Sequence, residues 1–223
     1  MDLILAIDLK DGQVVHGKGG HRQTYRPLDW AFSDTAEPGG FLKAYRPKYI
    51  YIADLDRIEG TGDNTDLIFA CAHSVELCYA DRGLTSPEEA LNTAGIVDII
   101  GTETAAATLA DFTSGFVSLD IKDGHVIPSG EDPTTFLKKL NTTAIDGCII
   151  LNITSVGTGA GVDADEAARM RAAYDGTLIY GGGVARRDDL FALADAGYDG
   201  AIVATAVHSG EIPLEWVREG KIC

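Results

Sequence analysis

Asp8 and Asp120 head two nearly identical stretches, DLKDGQVV at 8–15 and DIKDGHVI at 120–127. Each aspartate ends an otherwise apolar run, a setting in which a carboxylate is expensive to bury unless it has a function. Two carboxylates brought to one pocket can divide the roles of general acid and general base, provided their surroundings push their pKa values apart. Lys10 and Lys122 follow each aspartate by two positions and would help keep one of the pair ionised. The Asp11-Gly12 and Asp123-Gly124 pairs read as turns.

The second chemical signal is an anion site. The glycines of YGGGVARRDD (180–189), Gly181, Gly182 and Gly183, allow backbone to approach a phosphate closely, and VATAVHSG (203–210) would add the amides of Thr205 and Ala206. The first-half counterpart, YADRGLTS (79–86), has Asp81 and Arg82 in place of two glycines. A backbone cradle is therefore not expected there, and Arg82 would hold an anion through its side chain. Gly12 to Leu28 contains no acidic residue but has His16, Lys18, His21, Arg22 and Arg26, which makes Lys18 and Arg22 candidate anion contacts. Gly101 and Thr102 end the stretch 93–102, which echoes 195–205 and its terminal Thr205, and they complete the substrate-binding set. His73, His125 and His208 lack the spacing of a metal site or a nucleophilic triad, so neither metal nor cofactor is expected.

Eight short aliphatic or aromatic runs must position these residues: 3–8, 49–54, 75–80, 97–101, 116–120, 148–152, 177–181 and 201–204. Helix signals lie between them. TSPEEALNTAG predicts a helix capped by Ser86, with Pro87 first, Glu89 at the capping-box position and Gly95 as the stop. EDPTTFLKKLN repeats that logic from Asp132 and Pro133, and ARRDDLFALADAG places Leu190, Phe191 and Ala194 on one face before Gly197. Strand and helix alternating eight times predicts a single (βα)8 TIM barrel over 1–223, and the absence of G-x-G-x-x-G after the first strand argues against an open doubly wound sheet. The two Asp motifs, GTG at 60–62 and 157–159, and the 93–102/195–205 echo divide the barrel into two-fold repeated halves at about 1–112 and 113–223. Asp8 and Asp120 then fall at equivalent ends of strands 1 and 5, opposed across the mouth where chemistry sits in this fold.

The net charge of −16 disfavours nucleic acid or an anionic membrane as partner, and the expected partner is a small phosphorylated substrate. The opening MDLILAIDL reads as neither signal peptide nor membrane span, so a cytoplasmic protein is expected, with Cys71, Cys78, Cys148 and Cys223 as reduced thiols. The oligomeric state is left open.

AIDLKDGQVV, YIADLD, VSLDIKDG and YGGGV, together with the half-chain repeat, resemble the histidine-biosynthesis barrel family along essentially the whole chain. Within that family the closer likeness is to ProFAR (phosphoribosylformimino-aminoimidazole carboxamide ribotide) isomerase, and less to the cyclase subunit of the next step. The resemblance implies an Amadori rearrangement of a ribosyl group from aldose to ketose without metal or organic cofactor, with Asp8 and Asp120 as acid and base. It also implies two departures. A glycine-rich phosphate loop is expected after strand 3, where this chain has Ala80, Asp81 and Arg82; after strand 6, Leu151 stands at an assisting Thr and Val156 at an Asp. Three readings follow: an isomerase of this kind with an altered substrate; a lyase or synthase on a smaller monophosphate that uses Lys10 or Lys122; and a phosphate-ligand binding protein without turnover.

Overall fold

A computed structural model describes residues 1–223. Eight parallel strands run in order around a closed barrel: β1 (Asp2–Lys10), β2 (Tyr49–Asp54), β3 (Leu77–Asp81), β4 (Ile96–Gly101), β5 (Phe116–Lys122), β6 (Gly147–Asn152), β7 (Thr177–Gly181) and β8 (Gly200–Val203). Closure comes from β8 pairing with β1, from Asp2 opposite Gly200 to Leu5 opposite Val203. All eight predicted strands are present, and the (βα)8 barrel is confirmed.

Side-chain alternation along each strand decides what reaches the mouth. On β1, Leu3, Leu5, Ile7 and Leu9 point outward under the helices, while Ile4, Ala6 and Asp8 point into the barrel. On β5, Val117, Leu119 and Ile121 point outward and Phe116, Ser118 and Asp120 inward. Ile4, Tyr51, Tyr79, Ile99, Phe116, Ile149, Ile179 and Ile202 fill the barrel interior, so the inward positions above them form the floor of a cavity.

The repeated Asp motifs each fold into a hairpin that extends the barrel strand. Lys10 faces Gln13 and Lys122 faces His125. Asp11 and Gly12 have φ of 51° and 71°, and Asp123 and Gly124 of 51° and 79°, so both Asp-Gly pairs are the tight turns expected of them.

Helices at Pro38–Tyr45, Thr65–Ala72, Pro133–Leu140, Ala164–Arg171, Arg187–Ala196 and Leu214–Glu219 cover the strands. Asp132 caps its helix through Thr135 N, as its sequence predicts. On Arg187–Ala196 the buried face is Leu190 and Leu193; Phe191 is exposed and meets Trp216 edge-on at 6.1 Å, correcting its predicted place on the inner face. The helix predicted from Ser86 to Gly95 is absent, and only a 3-10 turn at Pro87–Glu89 forms. The Glu89 carboxylate accepts from Thr85 N and Oγ1, and the amides of Leu91 and Asn92 donate to Asp98, so side chains take up amides along the segment in place of helical carbonyls. Cys71, Cys78 and Cys148 are buried free thiols, and Cys223 is exposed. No helix is long and apolar enough to cross a membrane.

Candidate active site

A cavity of about 460 Å³ opens at the C-terminal ends of the strands and includes both Asp8 and Asp120 in its wall. The two aspartates have different surroundings. Asp120 is 3% exposed. Its Oδ2 accepts from Thr102 Oγ1 at 3.2 Å and from Glu103 N at 3.0 Å, and its Oδ1 from Ser118 Oγ at 2.8 Å. Thr102 Oγ1 also accepts the Asp120 amide, which fixes the end of β5 against the end of β4. Burial, followed by the neighbouring Asp81 carboxylate, pushes the Asp120 pKa up to about 7 despite those donors. Asp8 is half-buried, faces the cavity and receives no hydrogen bond from the protein; burial raises its pKa to about 6, tempered by Arg22 and reinforced by Asp81. The chain at Gly17 passes so near that a Cβ there would collide with the Asp8 carboxylate, which is why this position needs glycine.

Asp81 is a third cavity carboxylate, a candidate position that its turn-like sequence context obscured. It is 7% exposed and lines the same cavity. Tyr51 Oη donates to its Oδ2 at 3.0 Å and Gly83 N to its Oδ1 at 3.1 Å; burial raises its pKa too. A Cβ on Gly101 would lie 3.5 Å from Asp120 Oδ2 and 3.8 Å from Asp81 Oδ2, so Gly101 separates two buried carboxylates. The signal was parity: Tyr79 and Asp81 share the inward face of β3, as Ser118 and Asp120 do on β5.

The candidate anion contacts divide sharply. Gly182 and Gly183, with φ of 87° and 90°, line the cavity, and their amides have no partner within the protein. Thr205 and Ala206 line it beside them, and Thr205 Oγ1 lies 3.0 Å from His16 Nε2. Gly181 lies just below: a Cβ there would press on Leu151 Cδ1 at 3.1 Å. Arg22 reaches the cavity but is held in a two-pronged pair with Glu103, at 2.9 and 2.6 Å. Lys18 is exposed and outside the cavity wall. Thr102 and Gly101 support Asp120 from beneath the wall.

Arg82 is 5% exposed and turned outward: its Nε donates to Thr65 Oγ1 and its NH1 to the Glu89 carbonyl. The predicted anion role of Arg82 is corrected, because its guanidinium lies outside the cavity wall and pins the β3 loop through Nε and NH1. Register explains the error. Matching Tyr79 to Tyr180 aligns Asp81 with Gly182, whereas the ladders place Ala53 opposite Asp81 and Leu151 opposite Gly181, making Asp81 the equivalent of Gly181 and Arg82 that of Gly182. Leu151 and Val156 both line the cavity. No lysine does: Lys10 pairs with Glu59 at 2.8 Å and Lys122 is exposed. The alternative of a lysine-based lyase or synthase thus lacks its amine.

A family model described as histidine biosynthesis protein matches residues 2–213. The chain belongs to this histidine-biosynthesis family. Among its relatives, an uncharacterized protein of Methanocaldococcus jannaschii is 34% identical over 96% of each chain. Proteins of Natronomonas pharaonis and Thermus thermophilus named 1-(5-phosphoribosyl)-5-((5-phosphoribosylamino)methylideneamino) imidazole-4-carboxamide isomerase are each 31% identical, over 96% of this chain and 95% and 97% of theirs. Membership of the family joins the barrel to a set of relatives named as isomerases.

Proposed function

We propose that this protein is an aldose–ketose isomerase of the ProFAR isomerase kind, acting on a phosphorylated ribosyl amine by an Amadori rearrangement. The observation that carries this reading is the unlike pair of aspartates: Asp8 open and unbonded, Asp120 clamped by three donors, both on one cavity wall beside the free Gly182 and Gly183 amides.

The pair has the properties each step needs. The substrate phosphate lies against the glycine amides, next to Thr205 and Ala206. Asp120, the carboxyl held protonated to higher pH, gives its proton to the ribose ring oxygen as the bond from that oxygen to C1 breaks, leaving a protonated Schiff base at C1. Asp8, ionised at lower pH and free of competing donors, takes the proton from C2; the electron pair forms the C1–C2 double bond and neutralises the nitrogen. The enol so formed then becomes the C2 ketone as C1 gains a proton. Geometry leaves Asp8 free to move a proton and Asp120 fixed to direct one.

Asp8→Asn and Asp120→Asn test the proposal. Each is expected to lower kcat by roughly 10²–10⁴-fold, the usual contribution of a general acid or base, with ligand binding retained. Unchanged turnover in either would refute the paired-aspartate reading. Binding by the wild-type protein without turnover of any phosphoribosyl amine would favour the non-catalytic alternative.

A further inference from the structure

The two halves of the barrel end their third strands in opposite chemistry. At β7 the chain continues into Gly182 and Gly183, which line the cavity and whose amides have no partner within the protein. At the equivalent place on β3, Asp81 projects a carboxylate inward, and Gly83, the counterpart of Gly183, donates its amide to Asp81 instead of to the cavity. Tyr51 Oη holds the other carboxylate oxygen, so Asp81 is fixed in place with a lone pair on each oxygen still available to a ligand.

The surrounding charges favour the same polarity. The cavity wall has five carboxylates, Asp8, Asp81, Glu103, Asp120 and Glu211, against the guanidinium groups of Arg22 and Arg186. Arg22 is already matched by Glu103, and Arg82 points away. At the β3 end nothing remains to neutralise an incoming phosphate, which would face buried carboxylates in a medium that screens them poorly.

We infer that the substrate bears one phosphate, seated at β7 and β8, and that Asp81 binds an amine or similar cationic hydrogen-bond donor at the opposite, C1 end of the sugar. The identity of the intervening sugar rests on the isomerase reading; the polarity of the cavity does not. Asp81 is then the residue that selects a singly phosphorylated amino sugar over a bisphosphate.

Calorimetric titration with three probes tests this: ribulose 1,5-bisphosphate, ribose 5-phosphate and 1-amino-1-deoxyribulose 5-phosphate. The wild-type protein is expected to bind the amino compound at least tenfold more tightly than the bisphosphate, with ribose 5-phosphate between them. Asp81→Asn keeps the side-chain shape and is expected to reduce that preference at least fivefold, chiefly by weakening binding of the amino compound. Wild-type protein binding the bisphosphate as tightly as the amino compound overturns the inference, a result that needs no variant to fold. Retention of the full preference in a folded Asp81→Asn protein overturns it as well, and so does failure of all three probes to bind. The isomerase reading fails separately, on undiminished turnover after loss of Asp8 or Asp120.

Discussion

Replacing Asp120 by Asn should make the protein more stable at neutral and alkaline pH while removing its activity. Asp120 is 3% exposed, with a pKa pushed by burial and Asp81 from 3.8 to about 7. Between those values the folded protein holds a proton that the unfolded chain has released. Unfolding stability therefore falls as pH rises, by about 1.4 kcal/mol per pH unit, and the full range of roughly three units amounts to about 4 kcal/mol. Asn is neutral at every pH and can still accept from Thr102 and Glu103, and Ser118 Oγ can turn from donor to acceptor. After allowance for the donors that favour the charged form, a gain of about 1–3 kcal/mol at pH 8 is expected, falling to zero near pH 4. Urea unfolding of both proteins at a series of pH values reads the difference directly. An Asn variant that is less stable at pH 8, with the same pH slope as wild type, would refute the claim that Asp120 is strained in its charged form.

Three further outcomes follow from the same geometry. Since Asp8 titrates at about 6 and Asp120 at about 7, kcat/KM should show a narrow bell with its maximum between them; the limbs belong to the coupled carboxylates jointly, and a flat profile from pH 5 to 8 would contradict the assignment. Arg82→Met should destabilise the fold by about 2 kcal/mol, by stranding the acceptors at Thr65 and Glu89, yet leave phosphate affinity unchanged; weakened phosphate binding at equal stability would restore the anion role. Gly182→Ala should strain the backbone, because φ is 87° and a Cβ would strike the Asn152 carbonyl, giving a loss of about 1–3 kcal/mol in thermal unfolding together with weaker phosphate binding.

The barrel was legible because its strands are short apolar runs at regular spacing, a pattern that only parallel strands buried on both faces require. The opposed aspartates followed from the repeat, and their Asp-Gly turns from local chemistry. The missed features depended on information that the linear pattern lacks. Arg82 and Asp81 exchange faces with a one-residue shift of register, which the apparently matching tyrosines at 79 and 180 disguise; Tyr79 points into the barrel, whereas Tyr180 packs in the outer core. The helix expected after Ser86 had its caps and its proline, but Asp98, distant by several residues and folded back from β4, captured its amides. The pairing of Arg22 with Glu103 likewise joins residues 81 positions apart, and it converts an apparent anion contact into a compensated ion pair.

The central claim is tested most directly by following ketose formation from a 5-phosphoribosyl amine by carbon NMR, with wild-type, Asp8→Asn and Asp120→Asn proteins matched for ligand binding. Paired-aspartate isomerisation predicts conversion by the wild-type protein and a loss of at least roughly a hundredfold in each variant. Conversion at the wild-type rate by either variant, or bound but unconverted substrate with the wild-type protein, would contradict it.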